Sequence, residues 1–192
     1  MLDKLLIQRR LPPHLVEQML RMVDDSKQGV VWRDYVLQKF PNAIERISGD
    51  DFLTDKMLKT LWTMVQSTEH TFSGTALLAL ERLSRNQETS ISIDRLATES
   101  IKVAESEFFT PVNRQTALQV GVLSGAGDGA VALARKWLAD ETLPVGMSLS
   151  AMNTLGQAGS RQDGVLLKRF ASSGDVRIRK AARLSLKQLQ SR

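Results

Sequence analysis

Apolar residues recur along the chain with the period of an α-helix. Leu58, Leu61, Trp62 and Val65 stand at i, i+3, i+4 and i+7, the stripe that an amphipathic helix buries. Comparable stripes recur along most of the chain, which indicates an all-α protein. The helices are predicted at about residues 2–10, 13–26, 31–40, 42–48, 54–67, 72–86, 94–105, 111–124, 129–139, 144–158, 162–172 and 175–190.

Residue types that start and stop helices agree with this pattern. All five prolines fall at predicted helix ends, where a missing N–H costs least. Residues 89–93 alternate like a strand, but the stretch is short and leads into Asp94, so we interpret it as a loop that enters a helix. Asp94 and Asp128 are the expected N-caps of the helices at 94–105 and 129–139.

Glycines are concentrated in one part of the chain. Nine of the twelve lie between Gly121 and Gly174, and the turns at 125–129 and 156–159 each close one helix and open the next. Glycine commonly ends a helix in the left-handed conformation. Such a glycine-containing turn recurs about 34 residues further along the chain, which suggests a repeated helical hairpin.

An internal repeat supports that interpretation. Residues 117–125 align with residues 151–159 at a spacing of 34, a third copy begins at Asp175, and residues 76–80 resemble an earlier copy. The segment from about residue 71 to 192 therefore contains three and a half predicted hairpins. Recurring alanines such as Ala117, Ala151, Ala181 and Ala182 are expected to let neighbouring helices approach closely.

The third copy, residues 175–186, reads DVRIRKAARLSL, with an acidic start, Val-Arg, two alanines and leucines. In this pattern it resembles the first helix of a HEAT or HEAT-like repeat of the type found in phycobilisome lyases. The copy at 111–117 is a looser match, with Arg114 three residues before its alanine as Arg179 is before Ala182, whereas Ser148 takes that place in the copy at 144–158. The resemblance implies a right-handed α-solenoid whose second helices line the concave side.

Residues 1–70 fit the repeat less well. They contain half of the ten aromatic residues, namely Trp32, Tyr35, Phe40, Phe52 and Trp62. Terminal repeats usually differ from internal ones because they seal the core. The expected organisation is therefore one continuous unit, with an N-terminal helical cap at 1–70 packed on HEAT-like repeats at 71–192.

Positive charge is concentrated at the C-terminus. The net charge of the chain is +5, but residues 160–192 alone carry +7 and the remainder −2. Three interpretations stay open: a solvated outer face, a docking face for an acidic protein, or a surface that contacts nucleic-acid phosphate.

The function predicted from the resemblance is a non-catalytic protein-binding scaffold. Its candidate contact residues lie on the implied concave side and on the basic C-terminal helix: Arg95, Lys102, Arg135, Lys136, Lys168, Arg169, Arg177, Lys180 and Lys187. The alternative is nucleic-acid binding, since some DNA-repair glycosylases of similar architecture clasp DNA in their concave groove. A third option is an accessory enzyme of the bilin-lyase type.

Motifs of known catalytic chemistry are missing from the sequence. The chain has no cysteine, only two histidines, no nucleophile elbow and no phosphate loop. We therefore predict no catalytic residues, no metal site and no cofactor. No apolar run approaches the roughly 20 residues that span a bilayer, and a cytoplasmic location is expected if Met1 is the native start.

Overall fold

The chain forms a helical protein. A computed structural model describes residues 11–47, 50–67, 71–86 and 90–191, and within these ranges it contains eleven α-helices and no β-strand. The all-α prediction is confirmed, while the helix predicted at 2–10 lies outside the described residues. The helices are α1 (Pro13–Asp24), α2 (Val30–Gln38), α3 (Phe40–Ile44), α4 (Asp51–Gln66), α5 (Ser73–Ser84), α6 (Ile93–Glu105), α7 (Pro111–Leu123), α8 (Gly127–Ala139), α9 (Val145–Ala158), α10 (Asp163–Phe170) and α11 (Val176–Gln190).

The helices belong to two compact units that divide between Ile91 and Ser92. In the first unit, α1 and α5 each pack against both α2 and α4. Phe40 is fully buried there, but Trp32 and Phe52 are 60% and 74% exposed. Only some of the aromatic residues of this segment therefore belong to its core. The predicted division into a cap at 1–70 and repeats at 71–192 stays a prediction.

In the second unit, alternate helices contact one another. Helix α9 packs against both α7 and α11, while α6 packs on α7, α8 on α9 and α10 on α11. Ala117, Ala151 and Ala182 lie in the α7, α9 and α11 row, and all three are fully buried. These three small side chains therefore lie inside the packed layer, whereas Ala181 is only half-buried.

Arginines near the starts of two of these helices bind carbonyls that precede them. Arg114 and Arg179 are each the fourth residue of their helix, α7 and α11. The Arg114 Nε donates to the carbonyl of Ala104 at 2.9 Å, and the Arg179 Nη1 donates to that of Ser173 at 2.6 Å. The guanidinium carbon of Arg114 also lies 5.4 Å from the centre of the Trp137 ring. Each arginine thereby supplies a donor to backbone carbonyls at or beyond a helix end, which lack intrahelical partners.

The first unit contains the same arrangement, which the sequence analysis missed. Arg33 is the fourth residue of α2, is buried, and donates from Nε to the carbonyl of Val23 at 2.8 Å. Its guanidinium carbon lies 4.8 Å from the centre of the Phe72 ring. The signal was present in the sequence, because a valine-containing first turn precedes arginine at 30–33 just as it does at 111–114.

The helix caps differ in part from prediction. The hydroxyl of Ser92, and not Asp94, caps α6 by accepting from the Arg95 N–H at 3.2 Å. At α8 the N-cap is Ala126, which makes no side-chain bond, and Asp128 lies in the first turn. Both predicted aspartate caps are wrong by two residues. Their carboxylates instead lie inside the first turn, where negative charge favours the positive end of the helix dipole.

A glycine in the left-handed conformation ends α7. Gly125 has φ +91°, the Ala126 N–H donates to the carbonyl of Gly121 at 2.8 Å, and the Gly125 N–H donates to that of Val122 at 3.3 Å. This pair of bonds is a Schellman motif. Gly159, predicted to act in the same way, has φ −70° and does not.

Replacing Gly125 with alanine should destabilise the protein by about 1–2 kcal/mol, because an L-residue pays that cost in the left-handed region. Thermal or urea unfolding followed by circular dichroism measures the change. Gly174→Ala is the control, since Gly174 has open space around it and no positive φ. Equal unfolding midpoints for the two variants would contradict the prediction.

None of the helices in the described ranges combines the length and the apolar character needed to cross a membrane.

Candidate functional site

The basic C-terminal segment forms α10 and α11. A groove of about 290 Å³ runs between α10 and the C-terminal half of α11. Val165, Leu186 and Leu189 supply its apolar lining, and the exposed side chains of Arg161 and Lys168 supply positive charge. These three side chains form an apolar strip beside the two cations, in which Val165 is 71% exposed, Leu186 half-buried and Leu189 buried.

Lys168 and Arg169 are adjacent in sequence but line different cavities. Lys168 belongs to the groove between α10 and α11. Arg169 lines a second pocket of about 360 Å³, where the ends of α8 and α10 meet the starts of α9 and α11. The two predicted contact residues are therefore not one patch, because a helix turns by about 100° between neighbours.

Arg135 is bound within the protein. Its Nε and Nη2 donate to the two carboxylate oxygens of Asp163 at 2.7 and 3.0 Å, a bidentate pair that joins α8 to α10. The side chain of Asp163 is only 4% exposed, whereas that of Arg135 is 48% exposed. The Arg135 guanidinium lowers the pKa of the Asp163 carboxyl below its ordinary value, against the opposing effect of burial. Arg135 thus stabilises the contact between two helices.

Asp163 is the residue that sequence analysis missed. Besides Arg135 it accepts from the Ser160 backbone N–H at 2.7 Å and from the Ser160 hydroxyl at 3.2 Å. Serine followed three residues later by an acid is the pattern of a capping box. That pattern predicts the local bond between Ser160 and Asp163. The second partner, Arg135 on α8, is brought to Asp163 only by the fold.

The remaining predicted cations of the second unit lie on α6 and α8, which contact one another. Arg95, Lys102 and Lys136 are all exposed. Lys102 forms an ion pair with Glu99 at 2.8 Å, one turn earlier on α6. The Lys102 side chain is 65% exposed and that of Glu99 is 15% exposed, so the cation of this pair remains accessible to solvent.

On α11, the three predicted contact residues Arg177, Lys180 and Lys187 are exposed. Arg177 donates from Nη2 to the N-cap residue Asp175 at 2.8 Å. This bond and those from the first turn of α11 lower the pKa of Asp175 to about 2. Arg177 therefore takes part in the start of the helix, while Lys180 and Lys187 project from its middle and end.

Within the part of the chain that the structure describes, no three His, Asp or Glu side chains lie close enough together to hold a metal ion. Asp163 and Asp175 instead serve an ion pair between helices and a helix start, respectively.

No protein-family model matches the chain, and no curated protein is significantly similar to it.

Proposed function

We propose that the chain is a protein-binding scaffold whose second unit consists of HEAT-like hairpins. The row of α7, α9 and α11 supports this, because α9 packs against both of the others, as successive first helices of stacked hairpins would. The shared position of Arg114 and Arg179 near the starts of their helices supports it further. In this proposal the hairpins wind as a right-handed solenoid, and α6, α8 and α10 line its concave side.

The observation that carries the function is the groove between α10 and α11. It combines this partly exposed apolar strip with Arg161 and Lys168, and none of the described residues that line it is acidic. Lys180, Arg183 and Lys187 extend the positive charge along α11. An amphipathic helix with an acidic polar face has the complementary chemistry, since its apolar residues bury the strip while its carboxylates meet the cations.

The test uses a peptide probe. A designed amphipathic helix of roughly 20 residues, long enough to be helical in water, carries leucines on one face and glutamates on the other. We expect it to bind, and Lys168→Glu to weaken binding about tenfold or more, equivalent to ~1.4 kcal/mol. Fluorescence anisotropy measures the dissociation constant, with circular dichroism to confirm that helicity is unchanged.

Two controls make the result specific. Lys136→Glu changes the same charge on α8, away from the groove, and should have little effect; a peptide with lysines in place of the glutamates should not bind. Equal losses of peptide affinity for the two variants would contradict the assignment of the groove.

A duplex DNA, tested for binding at low and high salt, addresses the alternative function, because binding to phosphates falls steeply as salt rises. Steeply salt-dependent DNA binding without peptide binding would replace the proposal with nucleic-acid recognition.

A further inference from the structure

One helix of the α7, α9 and α11 row lacks the arginine that the other two use. Ser148 is the fourth residue of α9, the place held by Arg114 in α7 and by Arg179 in α11. Arg114 reaches a carbonyl ten residues earlier, that of Ala104. The corresponding carbonyl for Ser148 is that of Leu138, in the last turn of α8. A serine side chain is too short to repeat the arginine contact.

A pocket lies where the guanidinium is missing. The pocket of about 360 Å³ is lined by Ser148, by Leu138 and Ala139 at the end of α8, and by Phe170 and Ile178. Two of its features match the surroundings of Arg114. The carbonyls of Leu138 and Ala139 belong to a last helical turn, which lacks intrahelical donors, and Phe170 supplies an aromatic ring as Trp137 does for Arg114.

The charge of the pocket suits a cation. Asp140 and Glu141 line it together with Arg169, so acidic groups outnumber basic ones by one. Asp140 accepts from the Thr142 N–H at 2.9 Å and from the Thr142 hydroxyl at 2.7 Å, both through Oδ1. These bonds lower the pKa of Asp140 below its ordinary value. The Glu141 side chain is exposed.

We propose that this pocket binds an arginine side chain supplied by a protein partner. The partner's guanidinium takes the place that Arg114 and Arg179 fill from within their own helices. It donates to the carbonyls at the end of α8 and to the carboxylates of Asp140 and Glu141, and it stacks against Phe170. Arginine fits better than lysine, because its planar group donates in a fork to carboxylates and stacks on aromatic rings. This site is separate from the cationic groove between α10 and α11 and prefers the opposite charge.

The probe is arginine blocked at both ends as N-acetyl-arginine methylamide, with the citrulline and lysine analogues for comparison. We expect blocked arginine to shift the backbone amide resonances of Ser148, Asp140 and Phe170 saturably in a nitrogen–proton correlation spectrum. Citrulline has nearly the same shape without the charge and should bind at least about tenfold more weakly, a difference of ~1.4 kcal/mol. Equal binding of citrulline would overturn the proposal.

Two variants test the site from within the chain. Ser148→Arg should fill the pocket and abolish binding of blocked arginine, whereas Ser150→Arg, two residues along the same helix and outside the pocket, should leave binding unchanged. Glu141→Gln, a substitution at an exposed position, should weaken binding, and it tests the site if Ser148→Arg fails to fold. Unchanged binding in both Ser148→Arg and Glu141→Gln would overturn it.

The groove variant Lys168→Glu separates this inference from the proposed function. Since Lys168 does not line the arginine pocket, the variant should still bind blocked arginine while it loses the acidic peptide. Loss of both ligands in Lys168→Glu would contradict the separation of the two sites.

Discussion

Gly156→Ala should destabilise the protein by about 1–3 kcal/mol, the usual cost of forcing extra volume into a packed core. An alanine Cβ at this place in α9 would lie 2.9 Å from both the Cα and the Cβ of Ser185 in α11, and closer still to the side-chain oxygen of Gln188. The Gln188 side chain can move away, but the backbone of Ser185 cannot do so without separating the two helices. The higher helix propensity of alanine, up to about 1 kcal/mol, offsets only part of this cost.

Thermal unfolding measures the effect, and each kcal/mol should lower the midpoint by roughly 2–4 °C in a protein of this size. Gly164→Ala in α10 is the matched control, because its Cβ would meet only the Leu186 side chain at 3.7 Å, an ordinary contact. The control should be neutral or slightly stabilising. A Gly156→Ala variant as stable as Gly164→Ala would show that α9 and α11 do not approach as closely as described.

Asp163→Asn should cost about 1.5–3 kcal/mol, the range for hydrogen bonds to charged groups. The amide keeps the shape of the side chain and an oxygen for Ser160, but it cannot accept the bidentate guanidinium of Arg135. A double-mutant cycle with Arg135→Gln separates the interaction between Asp163 and Arg135 from the hydrogen bonds between Asp163 and Ser160. We expect the double variant to lose less stability than the sum of the two single variants. A loss in the double variant equal to that sum would contradict a direct interaction.

The same pair predicts a dependence on pH. The pKa of Asp163 is lower in the folded protein than its ordinary value, so ionised Asp163 favours folding. Its contribution is complete above the unfolded-chain pKa of about 3.9 and is lost as the pH falls through the lower folded-state pKa. Urea unfolding of wild type and Asp163→Asn should therefore differ most at neutral pH and converge in acid. Asp128→Asn, an exposed first-turn change, is the control; an Asp163→Asn difference that stays constant down to acid pH would contradict the assignment.

The helices were predictable because each buries a stripe that is visible in its own sequence. The starts at Pro13, Pro111 and Val176 fall within two residues of prediction. Caps were less predictable, since Ser92 and Asp94 are both good N-cap residues and local competition decided between them. The conformation of Gly125 followed from residue type, whereas that of Gly159 depended on its surroundings.

The candidate site was predictable only in part. Charge counting along the chain identified α10 and α11, but it could not show that Lys168 and Arg169 line different pockets. It also could not show that Arg135 is held by Asp163, because these residues are 28 positions apart. Both facts depend on which helix faces contact one another, and the periodicity of a single helix gives no information about its neighbours.

The double role of Asp163 affects how cooperatively its neighbourhood unfolds. The carboxylate holds two features together, because it closes the turn before α10 through Ser160 and binds α8 through Arg135. Fraying of that turn therefore also weakens the contact between α8 and α10, so the two events are thermodynamically linked and α10 is not expected to detach from α8 while its first turn stays intact.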